Sequence, residues 1–408
     1  DVSEDTGVTV QGPSLEGKRV ILAVSGGIAA TESIKLAREL RRHGADVFPM
    51  MSNSAEGVIS PLALSWGSGV EVITKWDPKM TQLEDFDGLI LAPATRNSIA
   101  KFTHGILDSP MMMALSAVSG QRIPMLFVPS MHNDLFHDAV TSDLLSSLEE
   151  LGVKVLLEEP SEGRRKQPSA TKIVAQYCNM TNSRLERRKR VVVTLGGNVA
   201  QIDSVRRIVN SSTGKTGWAI AEHLHRMGHD VVCVVGHTTC DSTFPLPDVR
   251  IDESPGGMLS ESIQLANTSP NPQFWIHAAA ILDYEPEYNS GKIPSGIDNW
   301  NIELSPTKKH LQVLKEHVRG SKRIGFKLEV GVDEGHNVRH NLIPILQPKN
   351  LFLIDIWEKI RPSKRNLIIS SSILDFEYCK ILLKLSKLWL CKLIFKHLDF
   401  IVGNNKDG

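Results

Sequence analysis

What the 408-residue sequence lacks narrows its class before any motif is read. Cysteine is scarce: Cys178, Cys233, Cys240, Cys379 and Cys391 are the five, and none stand in C-x-x-C spacing. Neither a disulfide framework nor a zinc ribbon is expected, and the sequence assigns no metal ligand. No uncharged apolar run reaches the roughly 18–20 residues of a membrane span, so no membrane partner is expected. There is no excess of either charge: 46 Lys and Arg balance 46 Asp and Glu, unlike the basic surplus of a general nucleic-acid binder. Residues 1–17 are polar and hold no apolar core of a secretory signal. The chain opens on Asp1 rather than Met, so the natural start is expected upstream. What remains is an ordinary globular composition, 41% hydrophobic and 23% charged, of a length that suits two domains, in a reducing, cytoplasmic setting.

Beyond a polar lead-in (1–17), Arg19–Val24 is an apolar run ending in Ser25-Gly26-Gly27. Helical spacing follows from Ile28 to about His43, then a strand over 45–51. Strand, glycine turn, helix and strand make a βαβ unit of parallel α/β type. Strands are expected at 88–91, 125–128 and 153–157, closing a first domain over 18–157. Charged residues 158–189 read as loop and linker around a short helix near 173–177. The pattern then restarts: strand 190–194, a turn at Gly196-Gly197, helix 217–227, and strands 230–235 and 274–279. The last stretch differs. No alanine follows Ala280, no glycine lies between Gly335 and Gly403, and 341–397 is dominated by Ile, Leu, Lys, Ser and Asn. That shift marks either a separate helical element or sequence foreign to the fold, and the second is favoured.

Three strand exits in the first half carry chemistry. Glycines at Ser25-Gly26-Gly27-Ile28-Ala29-Ala30 would let backbone approach a phosphate at a helix N-terminus, with Ser25 adding a hydroxyl; a simple tight turn is the alternative. Leu91–Ser98 offers Thr95, Asn97 and Ser98 at a strand's carboxyl end, where α/β sheets bind ligands, although an N-cap cluster would read the same. Val128–Asn133 supplies His132, an acid/base or anion donor, or a structural histidine.

Together with Ser52–Ala55, Pro61–Leu64, Ala92–Lys101 and Gly105–Asp108, these exits resemble the flavoprotein family of cysteine decarboxylases over about residues 18–150. The resemblance implies a flavodoxin-like sheet binding FMN, with Ser25, Gly27, Ser52, Thr95, Asn97 and Ser98 near the cofactor. It implies a substrate contact at His132 and Asn133, where the family has its P-A-M-N asparagine. It breaks in two places. No histidine occurs between His43 and His104, and Gln82 in Lys79–Glu84 stands for the family's catalytic His; Gln takes no proton at neutral pH. Glu158–Gln167 stands where the family has a cysteine-bearing flap. Decarboxylation is therefore expected to be impaired or differently arranged.

The second half carries a denser set. Thr194–Asn198 and Ile202–Arg206 are followed by Asn210-Ser211-Ser212-Thr213-Gly214-Lys215-Thr216-Gly217. Gly196-Gly197 is read as opening a helix-side anion site, with neutral donors from Asn210, Ser211 and Ser212 and a point charge from Lys215; a polar turn with structural glycines is the alternative. It is not a Walker A loop, because residue 209 is Val. Asp283 follows a buried strand, where a helix cap or turn would read the same; Lys292 sits on a loop, where a solvated lysine is the alternative; and Ile324–Glu329 closes another strand.

In this order the blocks resemble phosphopantothenate–cysteine ligase over about residues 189–335. A decarboxylase-like half before a ligase half is the bifunctional arrangement of coenzyme A biosynthesis. The resemblance implies a Rossmann-like ligase domain over 190–408. Its substrates would be 4′-phosphopantothenate, cysteine and CTP with Mg²⁺, joined through an acyl-cytidylate. Asn210 and Lys292 would be catalytic. Asp283, Lys292, Phe326, Lys392 and Lys396 would contact the nucleotide, and Gly196, Gly197, Ser211 and Ser212 the substrate. Lys392 and Lys396 reach that role only if 341–390 is an insertion, and the chain stops at Gly408 short of an expected last strand and helix. A homo-oligomer is expected. The rival reading is a non-catalytic flavin-binding or regulatory subunit, supported by Gln82 and the missing cysteine and opposed by Asn210, Asp283 and Lys292.

Overall fold

Two runs apolar at nearly every position, Arg19–Val24 and Arg190–Leu195, each become the strand from which a parallel sheet grows outward on both sides. The computed structural model describes residues 7–80, 83–186, 188–294 and 299–329, with strand segments 351–358, 365–370 and 383–384. The chain divides into two units: Asp1–Arg184 with Arg226–Gly228, and Leu185–His225 with His229–Gly408. Among the described residues no helix is long and apolar enough to cross a membrane.

In chain order the first unit comprises β1 (Arg19–Val24), α1 (Ser33–Arg42), β2 (Asp46–Met51), α2 (Asn53–Glu56), α3 (Pro61–Ser68) and β3 (Gly88–Ala94). There follow α4 (Arg96–Thr103), α5 (Pro110–Gly120), β4 (Met125–Pro129), β5 (Met131–His132), α6 (Asn133–Phe136), α7 (Ala139–Glu150), β6 (Lys154–Val155), β7 (Arg164–Arg165) and α8 (Ala170–Asn182). The sheet runs β2-β1-β3-β4-β6, all parallel, which is the flavodoxin-like order with its switch point between β1 and β3. Alternate residues of β1 serve opposite faces. Val20, Leu22 and Val24 join Leu36, Leu40, Ile173 and Tyr177 in one core, while Ile21 and Ala23 join Leu115, Phe127 and Leu148 in the other.

Three local expectations change. The segment after Gly27 is first a 3₁₀ turn, Ile28–Glu32, and becomes α-helical only at Ser33. The last strand shortens to Lys154–Val155. The stretch read as linker holds α8, thirteen residues long, whose Ile173, Val174, Tyr177 and Cys178 are buried in the first unit's core. Charge flanks that helix without touching its apolar face, so the local charge count misled.

The second unit comprises β8 (Arg190–Leu195), β9 (Val199–Gln201), β10 (Arg207–Val209), α9 (Lys215–Arg226), β11 (Asp230–Val235), β12 (Asp248–Ile251) and α10 (Pro255–Ala266). It continues with β13 (Phe274–His277), β14 (Tyr284–Pro286), β15 (Leu304–Pro306), α11 (His310–His317), β16 (Lys322–Glu329), β17 (Leu351–Glu358), β18 (Arg365–Ser370) and β19 (Leu383–Lys384). The sheet order is β12-β11-β8-β13-β16-β17-β18-β19. Its first six strands are parallel, and by their place in the chain they run 3-2-1-4-5-6, the Rossmann order. The switch point falls between β8 and β13. β17 lies inside the segment expected to be foreign, yet pairs in register with β16 from Arg323 opposite Leu351 to Glu329 opposite Trp357.

Candidate functional site

Because the first sheet is parallel, its carboxyl-terminal edge gathers every exit singled out from the sequence: Ser25 after β1, Ser52 after β2, Thr95 after β3 and Ser130 after β4. Ser25 is fully buried. Its Oγ donates to the Pro93 carbonyl (2.7 Å) and accepts from the Thr95 N–H (2.8 Å). The hydroxyl therefore clamps the two strands of the switch point together instead of donating to a ligand, which corrects its expected role. Gly26 is required by close approach: a Cβ there would lie 2.4 Å from the Ser54 Cβ. Gly27 sits 3.5 Å, by its ideal Cβ, from the Thr95 methyl.

Thr95 caps α4, its Oγ1 accepting from Ser98 N–H (3.4 Å) and lying 3.1 Å from the Ser98 hydroxyl. Ser98 is buried and Asn97 exposed. Ser52 caps α2, accepting from Ala55 N–H (3.3 Å). The two first-turn amides of α4 ahead of Ser98 have no partner within the helix, as at any helix start. With Thr95, Asn97 and Ser52 they offer a neutral, donor-rich rim. That donor set suits the phosphate and polyol of a flavin mononucleotide.

Beside this edge β5 and β7 pair antiparallel, setting His132 opposite Arg164. His132 is exposed and its Nδ1 lies 3.1 Å from Asp134. Asn133 N–H donates to Gly163 O (3.1 Å), while its Oδ1 is buried with no hydrogen-bond partner. Cys178, the first unit's one cysteine, is fully buried, and burial pushes its thiol up to about 12. It is a core residue and not a reactive thiol. Gln82 lies outside the described residues, as do Lys392 and Lys396.

In the second unit, Gly196 and Gly197 do not open onto a helix. Gly197 exchanges both backbone hydrogen bonds with His237 (2.8 and 2.7 Å), and Ala280 N–H donates to Gly196 O (2.8 Å). Side chains there are excluded: a Cβ on Gly196 (φ +83°) would meet His237 O at 2.7 Å, and one on Gly197 the Asn210 O at 2.7 Å. The β9–β10 hairpin intervenes before α9. The expected helix-side anion site at the two glycines is thus replaced by a close-packed backbone junction at the switch point.

Asn210 crosses that junction. Its Nδ2 donates to Ala280 O (3.0 Å), tying the β10 exit to the β13 exit, and its carbonyl accepts from Ser212 N–H (2.7 Å). Ser211 is exposed and Ser212 half-buried on the turn into α9. Asp283 lies three residues past Ala280, exposed and ion-paired with Lys309, a partner the sequence did not single out. Phe326, on β16 one position beyond the Gly325–His277 pairing, flanks the same edge and is half-buried. Lys292 is exposed on the loop after β14.

Asp203 is strongly shifted by its surroundings. Burial alone would raise its carboxyl, but N–H donors from Val205, Arg206 and Ile293 and the Arg206 guanidinium outweigh it and hold the group at about 2. Among the described residues no cluster of three or more His, Cys, Asp or Glu could hold a metal ion.

Two sheets in series, one parallel in flavodoxin-like order and one with its first six strands in Rossmann order, each with polar exits at its switch point, define a two-unit α/β class that binds ligands at strand ends. Residues 10–192 match the family described as Flavoprotein, and residues 186–354 the DNA/pantothenate metabolism flavoprotein C-terminal domain. A coenzyme A biosynthesis bifunctional protein CoaBC of Thermococcus kodakarensis is 32% identical over 328 residues, covering 78% of this chain and 80% of the relative. That of Methanocaldococcus jannaschii is 30% identical over 326 residues, 78% of each. The solved C-terminal domain of a coenzyme A biosynthesis bifunctional protein CoaBC aligns at 27% identity and a TM-score of 0.43, covering 55% of this chain and all of that one. The chain belongs to the CoaBC family of coenzyme A biosynthesis bifunctional proteins.

Proposed function

We propose that the second unit joins 4′-phosphopantothenate to cysteine at the expense of CTP, and that the first unit binds FMN but decarboxylates the product poorly. The observation that carries the ligase reading is the junction of Gly197, Asn210 and Ala280 at the β8/β13 switch point, with Asp283 and Phe326 on the same edge. The substrate carboxylate attacks the α-phosphorus of CTP, forming an acyl-cytidylate and releasing pyrophosphate. The cysteine amine then attacks the acyl carbon, forming the amide and releasing CMP. Lys292 stabilises charge growing on the phosphates, and the neutral Asn210 amide holds the acyl-cytidylate without repelling its phosphate. Mg²⁺ enters with the triphosphate, as such sites bind it largely through phosphate oxygens, and Asp283 contacts the nucleotide.

In the first unit a bound flavin would supply the redox step of decarboxylation. Ser25 holds β1 to β3, the α4 amides with Thr95 and Asn97 take the cofactor, and His132 with Asn133 takes the substrate. Cys178 is sealed in the core and Gln82 cannot act as base, so turnover is low. The same two features leave a non-catalytic flavin subunit as the second reading for this unit alone.

CTP-dependent pyrophosphate exchange in the full chain tests the ligase. Lys292→Gln is expected to slow it by about 10²–10³-fold, the scale of one lost transition-state donor. Asn210→Asp should leave exchange measurable while amide formation fails. Unchanged exchange in Lys292→Gln would remove the nucleotide site from this loop. For the first unit, flavin absorbance with little CO₂ release is expected; rapid release would show a base other than the one assigned.

A further inference from the structure

The loop that carries Lys292 follows β14, and its described residues 289–293 are held from outside the loop. What fixes it is the Ile202–Arg206 turn. Asn289 N–H donates to Ile202 O (3.0 Å), and Ser204 N–H to Gly291 O (3.0 Å). One step further on, Ile293 N–H donates to Asp203 Oδ2 (3.1 Å), and Arg206 Nη1 donates to Ile293 O (3.1 Å). Lys292 is thus held on both sides, by Gly291 and by Ile293. Gly291 is at φ +92°, a conformation that L side chains rarely adopt.

The two holding side chains are themselves fixed. Asp203 is fully buried and its Oδ1 accepts from Val205 N–H (2.8 Å) and Arg206 N–H (2.7 Å). Its Oδ2 accepts from Arg206 Nη1 at 2.6 Å. The Arg206 guanidinium also lies 4.8 Å from the Trp300 ring centroid, on the returning arm of the same loop. A buried carboxylate with its acceptor sites filled and one cation against it keeps a single geometry, because each alternative strands a buried charge or donor.

We infer that Asp203 and Arg206 are positioning residues for the ligase step, a latch that gives the Lys292 loop one course past the nucleotide. This rests on the reading of Lys292 as the phosphate-contacting group. The latch acts by placement, and misplacement of a reacting group by about 1 Å can cost about 10²-fold in rate. In Asp203→Asn an amide nitrogen faces the Arg206 and Ile293 donors, so both lose their acceptor. In Arg206→Gln the link to the Ile293 carbonyl is lost while Asp203 keeps its three backbone donors.

The test places Asp203→Asn and Arg206→Gln in the full chain, each alone and each combined with Lys292→Gln. CTP affinity is read by calorimetry, and amide hydrogen exchange is read over 289–293, with β1 as internal reference. Each single variant is expected to weaken CTP binding about tenfold and to speed exchange at Ile293 at least tenfold, leaving β1 unchanged. Once Lys292 is already Gln, either variant should add less than twofold. Equal losses with and without Lys292 would overturn the latch in favour of a general structural role, as would unaltered exchange at Ile293. If Lys292→Gln alone leaves CTP binding intact, the nucleotide reading fails, and exchange at Ile293 then decides the latch by itself. Should Asp203→Asn not fold, Arg206→Gln decides, since that side chain is 31% exposed.

Discussion

His277 is a base placed where it cannot hold a proton. Burial is the main cause, helped by the positive Arg323 and by His310, and together they pull its pKa down to about 3. Its ring stacks on Trp275 at 6.0 Å, and its Nε2 is buried without a partner. An unfolded chain binds a proton here below about pH 6.5, while the folded chain does not until near 3. The stability this provides is complete above pH 6.5 and is lost as pH falls through that window, by up to about 1.4 kcal/mol per pH unit. Urea unfolding between pH 7 and 4 should show this slope, and His277→Gln should flatten it. None of this was legible in the sequence, where His277 is one histidine of fourteen. The positions of Asn210 and Asp283 at strand exits were legible because both residues lie in short motifs. Lys309 was not, being 26 residues from the Asp283 it pairs with.

Elements were legible where one residue class runs unbroken. β1, β8 and β11 are continuous apolar runs buried on both faces, and their observed bounds differ from expectation by at most one residue. The reading failed where very short strands interrupt it. β9 and β10 separate the glycine pair from α9, and their three residues each carry no period long enough to register. The fit of α9 onto β8 was equally hidden: a Cβ on Gly217 would lie 2.2 Å from the Leu195 Cβ. Gly217→Ala should therefore destabilise the second unit by about 1–3 kcal/mol in spite of alanine's better helix propensity. Denaturant titration followed by Trp218 fluorescence measures this. A gain in stability from Gly217→Ala alone would mean that the helix does not seat there.

Across the whole molecule the two switch points belong to separate units, so their ligands should respond to separate substitutions. Thr95→Ala removes the α4 cap, worth about 1 kcal/mol, and with it the order of the Asn97–Ser98 turn. It is expected to lower flavin content severalfold while CTP-dependent pyrophosphate exchange stays within twofold of the parent chain. Loss of both together would show one shared site. The helix α8 bears on the molecule in a different way, through the order in which a ribosome delivers it. Tyr177 fills the space above Gly88, its hydroxyl 1.8 Å from where a Cβ would stand, on the strand beside β1. Every strand of the first unit's sheet has been synthesised by Val155, and α1 and α3 cover part of one apolar face, yet the rest of that face stays open until residues 170–182 have left the exit tunnel. A nascent chain halted before Ala170 therefore presents an incompletely covered apolar sheet face, a target for chaperones, until this late helix closes over a sheet made well before it.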